Sequence, residues 1–251
     1  MKSVVTMLLL MGAGAACVPS YAMELNQAAR VGAGVGRYGL NFRERGFDTS
    51  GNALTDEIGI TNVQATYGGE AGYTFSMSDF YTDLGLNILR TKQGTENTWR
   101  TDFLFTVGYY LTDNWSLFTG FRRGWQGDGV FKQDKFEEIG PYAGFGFGGI
   151  PLGGWGTLNT SFAYNFDKVK RLFSSVSGAD REKSFTYPGI SAKLSLSFKG
   201  TPHSVQLRLQ RFGKGDSVGV VDESTGNPLG HIDFNLTETW AVLSYVYTLA
   251  W

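Results

Sequence analysis

Along most of this chain, apolar and polar side chains alternate residue by residue. Phe103, Phe105, Val107, Tyr109 and Leu111 share one parity, with Arg100, Asp102, Thr106 and Gly108 on the other. Trp115, Leu117 and Phe121 alternate with Ser116, Gly120 and Arg122, and Val205, Leu207 and Leu209 with Ser204, Gln206 and Arg208. Ile190, Ala192, Leu194, Leu196 and Phe198 oppose Ser191, Lys193, Ser195 and Ser197. Val63, Ala65, Tyr67, Ala71 and Tyr73 oppose Gln64, Thr66, Glu70 and Thr74. In the final stretch Ala241, Leu243, Tyr245, Tyr247, Leu249 and Trp251 share a face against Val242, Ser244, Val246, Thr248 and Ala250. Successive side chains of a strand point to opposite faces. A period of two with charge on one face therefore predicts strands dividing an apolar from a polar surrounding.

The breaks between these segments alternate in length. Short, turn-like breaks fall at 76–79, 112–114, 151–154 and 200–202; long polar ones fall at about 43–56, 92–98, 126–137, 169–184 and 214–230. Four short and five long breaks predict ten strands, an even number that leaves both ends of the sheet on the short-turn side. The segments run to about 10–16 residues, against roughly 5–6 for strands of water-soluble proteins. Two segments lose phase. Tyr38, Leu40 and Phe42 fall on the opposite parity to Val31, Ala33 and Val35, which predicts a bulge near Gly36-Arg37. Phe234 and Leu236 are out of step with Ala241 onward, which predicts a bulge at 237–239 or long side chains filling an interior.

The N-terminus reads as an export signal: Lys2, an apolar run over 4–16, then Ser20-Tyr21-Ala22 with small residues where a signal peptidase cuts. Cleavage after Ala22 divides the chain into a signal peptide, 1–22, and a single domain, 23–251. Lipidation at Cys17 is the weaker reading, because Gly14 stands where a lipoprotein signal carries a large aliphatic residue. Cys17 is the single cysteine, so the exported chain has no disulfide or thiolate metal site. No apolar run of about 18 residues occurs, which excludes a helical membrane bundle. A net charge of -1 without blocks of like charge argues against a nucleic-acid partner. Thirty-five glycines and 15% aromatics suit long strands with aromatic girdles, to which Trp99, Trp115, Trp125, Trp155 and Trp240 are assigned.

The alternation, the short and long breaks and the terminal strand carrying Tyr245, Tyr247, Leu249 and Trp251 together resemble bacterial outer-membrane β-barrels. That resemblance implies an all-β fold: a transmembrane, antiparallel, up-and-down barrel of about ten strands with short periplasmic turns and long extracellular loops. It implies a bacterial outer-membrane location. It also implies that the terminal strand is the assembly signal read by the barrel insertion machinery. A secreted β-sandwich is the competing fold, since its strands also alternate.

The candidate chemistry is sparse. Gly34-Val35-Gly36 with Gly39, and Gly144-Phe145-Gly146 with Gly149, match a dinucleotide fingerprint, but neither opens an amphipathic helix, where such a loop holds pyrophosphate. His231 and Asp233 at the outer end of the last strand resemble the rim His and Asp of ten-stranded surface proteases, the omptins. That likeness extends only to strand number and this pair, so they are weak catalytic candidates. His203-Ser204 resembles the pair of lipid A deacylases, but lies at the end away from the outer leaflet.

The inward parity places Glu70, Asp83, Arg100, Asp102, Arg122, Lys193 and Arg208 in the lumen. There they either pair into a plug or line a narrow path for small solutes. Lys168, Lys170, Arg171, Arg181 and Lys183 form a rim set suited to lipopolysaccharide phosphates, with outer-membrane lipids as the other expected partner. No cofactor and no metal are expected. Three functions follow: a porin-like or structural barrel passing at most small solutes, an adhesion barrel binding through its loops, and an outer-membrane hydrolase.

Overall fold

The computed structural model describes residues 25–54, 58–93, 96–127, 136–174, 180–221, 225 and 227–251. The segment 1–22, expected as an export signal, lies outside them. Ten strands follow one another in chain order: β1 (Leu25–Phe47), β2 (Ile58–Met77), β3 (Phe80–Gln93), β4 (Glu96–Tyr110), β5 (Trp115–Gly127), β6 (Phe136–Pro151), β7 (Gly156–Ser174), β8 (Asp180–Phe198), β9 (His203–Val221) and β10 (Pro228–Ala250). Each is antiparallel to its neighbours, and β10 pairs with β1, so the sheet closes into a barrel without a free edge. A sandwich would leave two sheets; here there is one closed ladder. Trp251 seals the seam at the short-turn end, its amide donating to the Gln27 carbonyl and the Gln27 amide donating back.

The outward parity carries a belt of exposed Val31, Val35, Val63, Leu84, Phe103, Phe121, Phe162, Ile190, Leu207 and Leu243 that runs around the whole wall. A continuous apolar belt of this extent suits hydrocarbon and not water. With that belt on a sheet whose strand order closes on itself, this is a transmembrane β-barrel.

The bulge expected at Gly36-Arg37 does not form. β1 keeps one register with β10 from Ala28 to Phe47, and one register with β2 from Leu25 to Glu44. Tyr38 and Phe42 are buried on the lumen face, in line with Arg30 and Gly32. β10 likewise runs without a shift through 237–239, and Phe234, Leu236, Trp240 and Val242 all face inward. The hydrophobic side changes, not the register: near the short turns the greasy face is the outer one, and farther up the large apolar groups fill the interior. Trp240 is therefore an interior residue and not a girdle residue. The register shifts lie instead at 147–150 in β6, where Gly149 takes φ +74°, and at 228–230 in β10.

Strands also reach farther into the long breaks than alternation predicts. β7 and β8 pair out to Ser174↔Asp180, and β3 and β4 to Gln93↔Glu96. Pairing continues there without a lipid face to mark it. Between β8 and β9, by contrast, the ladder runs only from Ser197↔Ser204 to Gly189↔Phe212. Above it the β7–β8 ribbon and the β9–β10–β1–β2 ribbon part. Their inner faces are joined by an apolar cluster of Phe42, Val169, Phe185, Tyr187, Phe212, Phe234 and Leu236.

Candidate functional site

The lumen is divided into two layers by the heights at which inward residues occur. In the layer toward the long connections, β4 supplies Arg100 and Asp102, β5 Arg122, β6 Glu138, β7 Asp167 and β10 Glu238. All six are between 0% and 4% exposed. Arg100 donates from Nε to Asp102 at 3.0 Å and from Nη2 to Glu138 at 2.6 Å. Its Nη1 lies 3.6 Å from Glu238 on the facing wall. Arg122 donates to Asp102 and to Asp167 at 3.2 Å each, and also to Glu138. The Tyr38 hydroxyl donates to Glu238 at 2.8 Å.

Aromatic rings cover the two guanidinium groups. Arg100 sits 5.1 Å from the Trp240 ring centroid and Arg122 4.5 Å from that of Phe212. Tyr38 packs on Trp240 at 4.2 Å, and Tyr187 stacks on Phe212 at 5.6 Å. Such contacts are stronger where water is absent. Gly189 makes room for this stack, since a Cβ there would overlap the Phe212 ring. Charges and rings together form a packed plug across the barrel.

Below the plug lies a cavity of about 680 Å³. Asp113, Asn114, Gly148 and Gly149, from the short-turn end, are among its lining residues and mark its mouth. Its walls bear Arg30, Glu70, Asp83, Lys193 and Arg208. Arg30 grips Asp83 with both terminal nitrogens, at 2.5 and 2.9 Å, and Arg208 donates to Glu70 at 2.6 Å. Thr74 supports Asp83 at 2.6 Å, and Tyr142 meets Thr106 at 2.5 Å. Parity thus leads the chain's charges to two separate places. Arg100, Asp102 and Arg122 lie in the plug; Glu70, Asp83, Lys193 and Arg208 lie in the cavity.

Sequence reasoning missed Arg30, Glu138, Asp167 and Glu238. Arg30 was legible from the parity of Val31, Ala33 and Val35; Glu238 was legible only by holding one parity through the phase break; Glu138 and Asp167 sit at the edges of the breaks expected at 126–137 and 169–184. Conversely, His231 and Asp233 point outward from the wall, their nearest N and O 3.8 Å apart, with the imidazole stacked on Phe47. His203 also lies on the outer face, its Nδ1 2.6 Å from the Tyr245 hydroxyl. Both glycine fingerprints fall inside strands β1 and β6. Of the rim cations, Lys168 is exposed on the outer face; the side chains of Lys170, Arg171, Arg181 and Lys183 are outside the described set. At that rim, past β1, Asp48 caps a turn; hydrogen bonds from the Asn52 side chain and backbone hold its carboxyl below the ordinary range. Among the described residues no group of three or more His, Cys, Asp and Glu is placed to hold a metal.

No protein-family model matches the chain, and no curated protein does. Among solved structures, it is similar to the translocator domain of autotransporter NalP from Neisseria meningitidis, at 11% identity over 98% of this chain and 97% of that one, with a TM-score of 0.42. An outer membrane channel from Pseudomonas putida F1 aligns at 13% identity over 93% and 100% of the two chains, with a TM-score of 0.35. A TodX monoaromatic hydrocarbon channel mutant aligns at 10% identity over 92% of each, with a TM-score of 0.36. Likeness this distant carries no argument about what the chain does.

Proposed function

We propose that this protein is an integral barrel of the bacterial outer membrane, closed to through-flow, whose interior is a polar cup opening on the periplasmic side. The belt of exposed apolar side chains supports the membrane. Turns of two to four residues at one end support the orientation, against connections of five to ten residues at the other, where only the β3–β4 connection is as short as two. One observation carries the sealed reading: Arg100, Arg122, Glu138 and Asp167 reach toward each other from four adjacent strands, meet Glu238 from the facing wall, and are almost wholly excluded from solvent. Ten strands lie just above the number whose interior side chains alone can fill. A conducting path would need water among these charges, and the packing leaves none of them wetted. The structural role thus has more support than the porin-like one. Lipopolysaccharide at the rim through Lys168 and its neighbours, and recognition of the Tyr245–Trp251 strand by the insertion machinery, belong to the same reading.

Planar-bilayer recording of the refolded barrel tests it. The wild-type protein is expected to be silent at neutral pH, while Arg122→Ala combined with Glu138→Ala opens a path and passes current. Steady unitary currents from the wild type would overturn the sealed reading.

A further inference from the structure

Three cations, Arg30, Lys193 and Arg208, line the cavity below the plug, and its two inner carboxylates each bond an arginine. Arg30 is matched by Asp83, and Arg208 by Glu70. Lys193 lines the same cavity and, among the described residues, has no hydrogen bond or ion pair. Its position makes this costly. In the β8–β9 ladder Lys193 stands directly opposite Arg208, and like charges opposed across a strand pair are unfavourable. With Glu70 and Asp83 each already bonded to an arginine and Asp113 out at the mouth, a confined cation that has no direct partner is stabilised by a further counter-charge. On its other side Lys193 faces Ser161 of β7, and Ser191 and Ser195 flank it on its own strand face. All three hydroxyls line the cavity. One ammonium ringed by small donors is an anion-binding arrangement, and strong only when the anion is desolvated with it.

We infer that the cup is a binding site for a small periplasmic solute with one anionic head, a carboxylate or a phosphate monoester, which Lys193 neutralises. The volume lies within the range of about 300–1,000 Å³ typical of small-molecule pockets. Tyr81, Phe118 and Tyr142 line the same cavity and offer apolar ring surface to the body of such a solute. The inference rests on the sealed reading in one respect: the solute enters and leaves by the same mouth.

Titration calorimetry of the refolded full barrel tests the site, with 4-hydroxybenzoate and phenyl phosphate as anionic probes and 4-hydroxybenzamide as the neutral one. The two anion arms separate the sources of the head group. At least one anion is expected to bind saturably at one site, and the amide not at all. Lys193→Gln is expected to weaken binding by about tenfold or more. Ser161→Asp, which supplies the counter-charge from within, is expected to do the same. It stands independently should Lys193→Gln fail to fold. Arg123→Gln, on the outer face of β5, leaves binding unchanged.

No saturable binding of either anion, or equal binding by wild type and both variants, overturns the site. The two readings fail separately. A silent bilayer with no anion binding removes the site and keeps the seal; a conducting barrel that still binds through Lys193 removes the seal and keeps the site.

Discussion

Replacing Arg122 with alanine isolates the plug from the rest of the barrel. Its guanidinium lies 3.2 Å from Asp102 and 3.2 Å from Asp167, bonds Glu138, and packs 4.5 Å from the Phe212 ring. Truncation leaves four carboxylates, Asp102, Glu138, Asp167 and Glu238, with Arg100 alone among them. Two unit charges at about 4 Å interact by roughly 4 kcal/mol at an effective dielectric near 20. Breaking a buried pair from one side costs about 3–5 kcal/mol. That range is expected for Arg122→Ala.

Arg123, the next residue, provides the contrast. It bonds Glu137 at 2.8 Å, but its side chain is 47% exposed and its partner's 36%. Water already screens that pair, so Arg123→Ala is expected to cost about 0–1 kcal/mol. Urea unfolding of barrels refolded into vesicles, followed by tryptophan fluorescence and by heat-modifiable migration, measures both. Adding Asp167→Asn to Arg122→Ala relieves the stranded charge, so the double variant loses less than the sum of the two single changes. Equal losses for Arg122→Ala and Arg123→Ala would refute the reasoning, because the plug would then be as wet as the rim.

Leu194→Arg and Leu207→Arg, which set a charge on the outer belt of adjacent strands, are each expected to cost about 2–4 kcal/mol in vesicle unfolding where they lie near the midplane. Ser195→Gln, one residue away but facing the cavity, is expected to fold normally by band shift. Gly189→Ala forces a methyl group into the Phe212 ring, itself held between Tyr187 and Arg122, so a loss of about 1–3 kcal/mol is expected in the same assay. Deleting Trp251 removes the two backbone bonds to Gln27 at the β1–β10 seam and is expected to slow assembly, read as the folded fraction against time. His231→Ala and Asp233→Ala are expected to leave folding, bilayer silence and peptide or lipid hydrolysis as in wild type.

The chain's alternation determines by itself which side of the wall Phe103, Phe121, Leu194 and Leu207 occupy. A period of two is a property of neighbouring residues, and hydrocarbon outside needs no partner to be specified. The same local rule implies ten strands and one end of tight turns, and leads Arg100 and Arg122 inward. It fails at Tyr38 and Phe42, which suggest a bulge only if apolar is taken to mean outward, and at Phe234 and Leu236 it leaves a bulge and the filling of an interior both open. Only closure of the barrel decides. Once β10 meets β1, these rings face an enclosed space where burial against one another replaces burial in lipid, so parity is kept and the greasy side moves. Closure also decides which charges meet. Arg100 and Glu238 are far apart in sequence and on facing walls, and their distance depends on strand number and stagger rather than on either segment. The same geometry pairs Arg30 with Asp83 and Arg208 with Glu70 and gives Lys193 no ion pair among the described residues, because which charges meet across a lumen depends on the whole ring and not on any single strand.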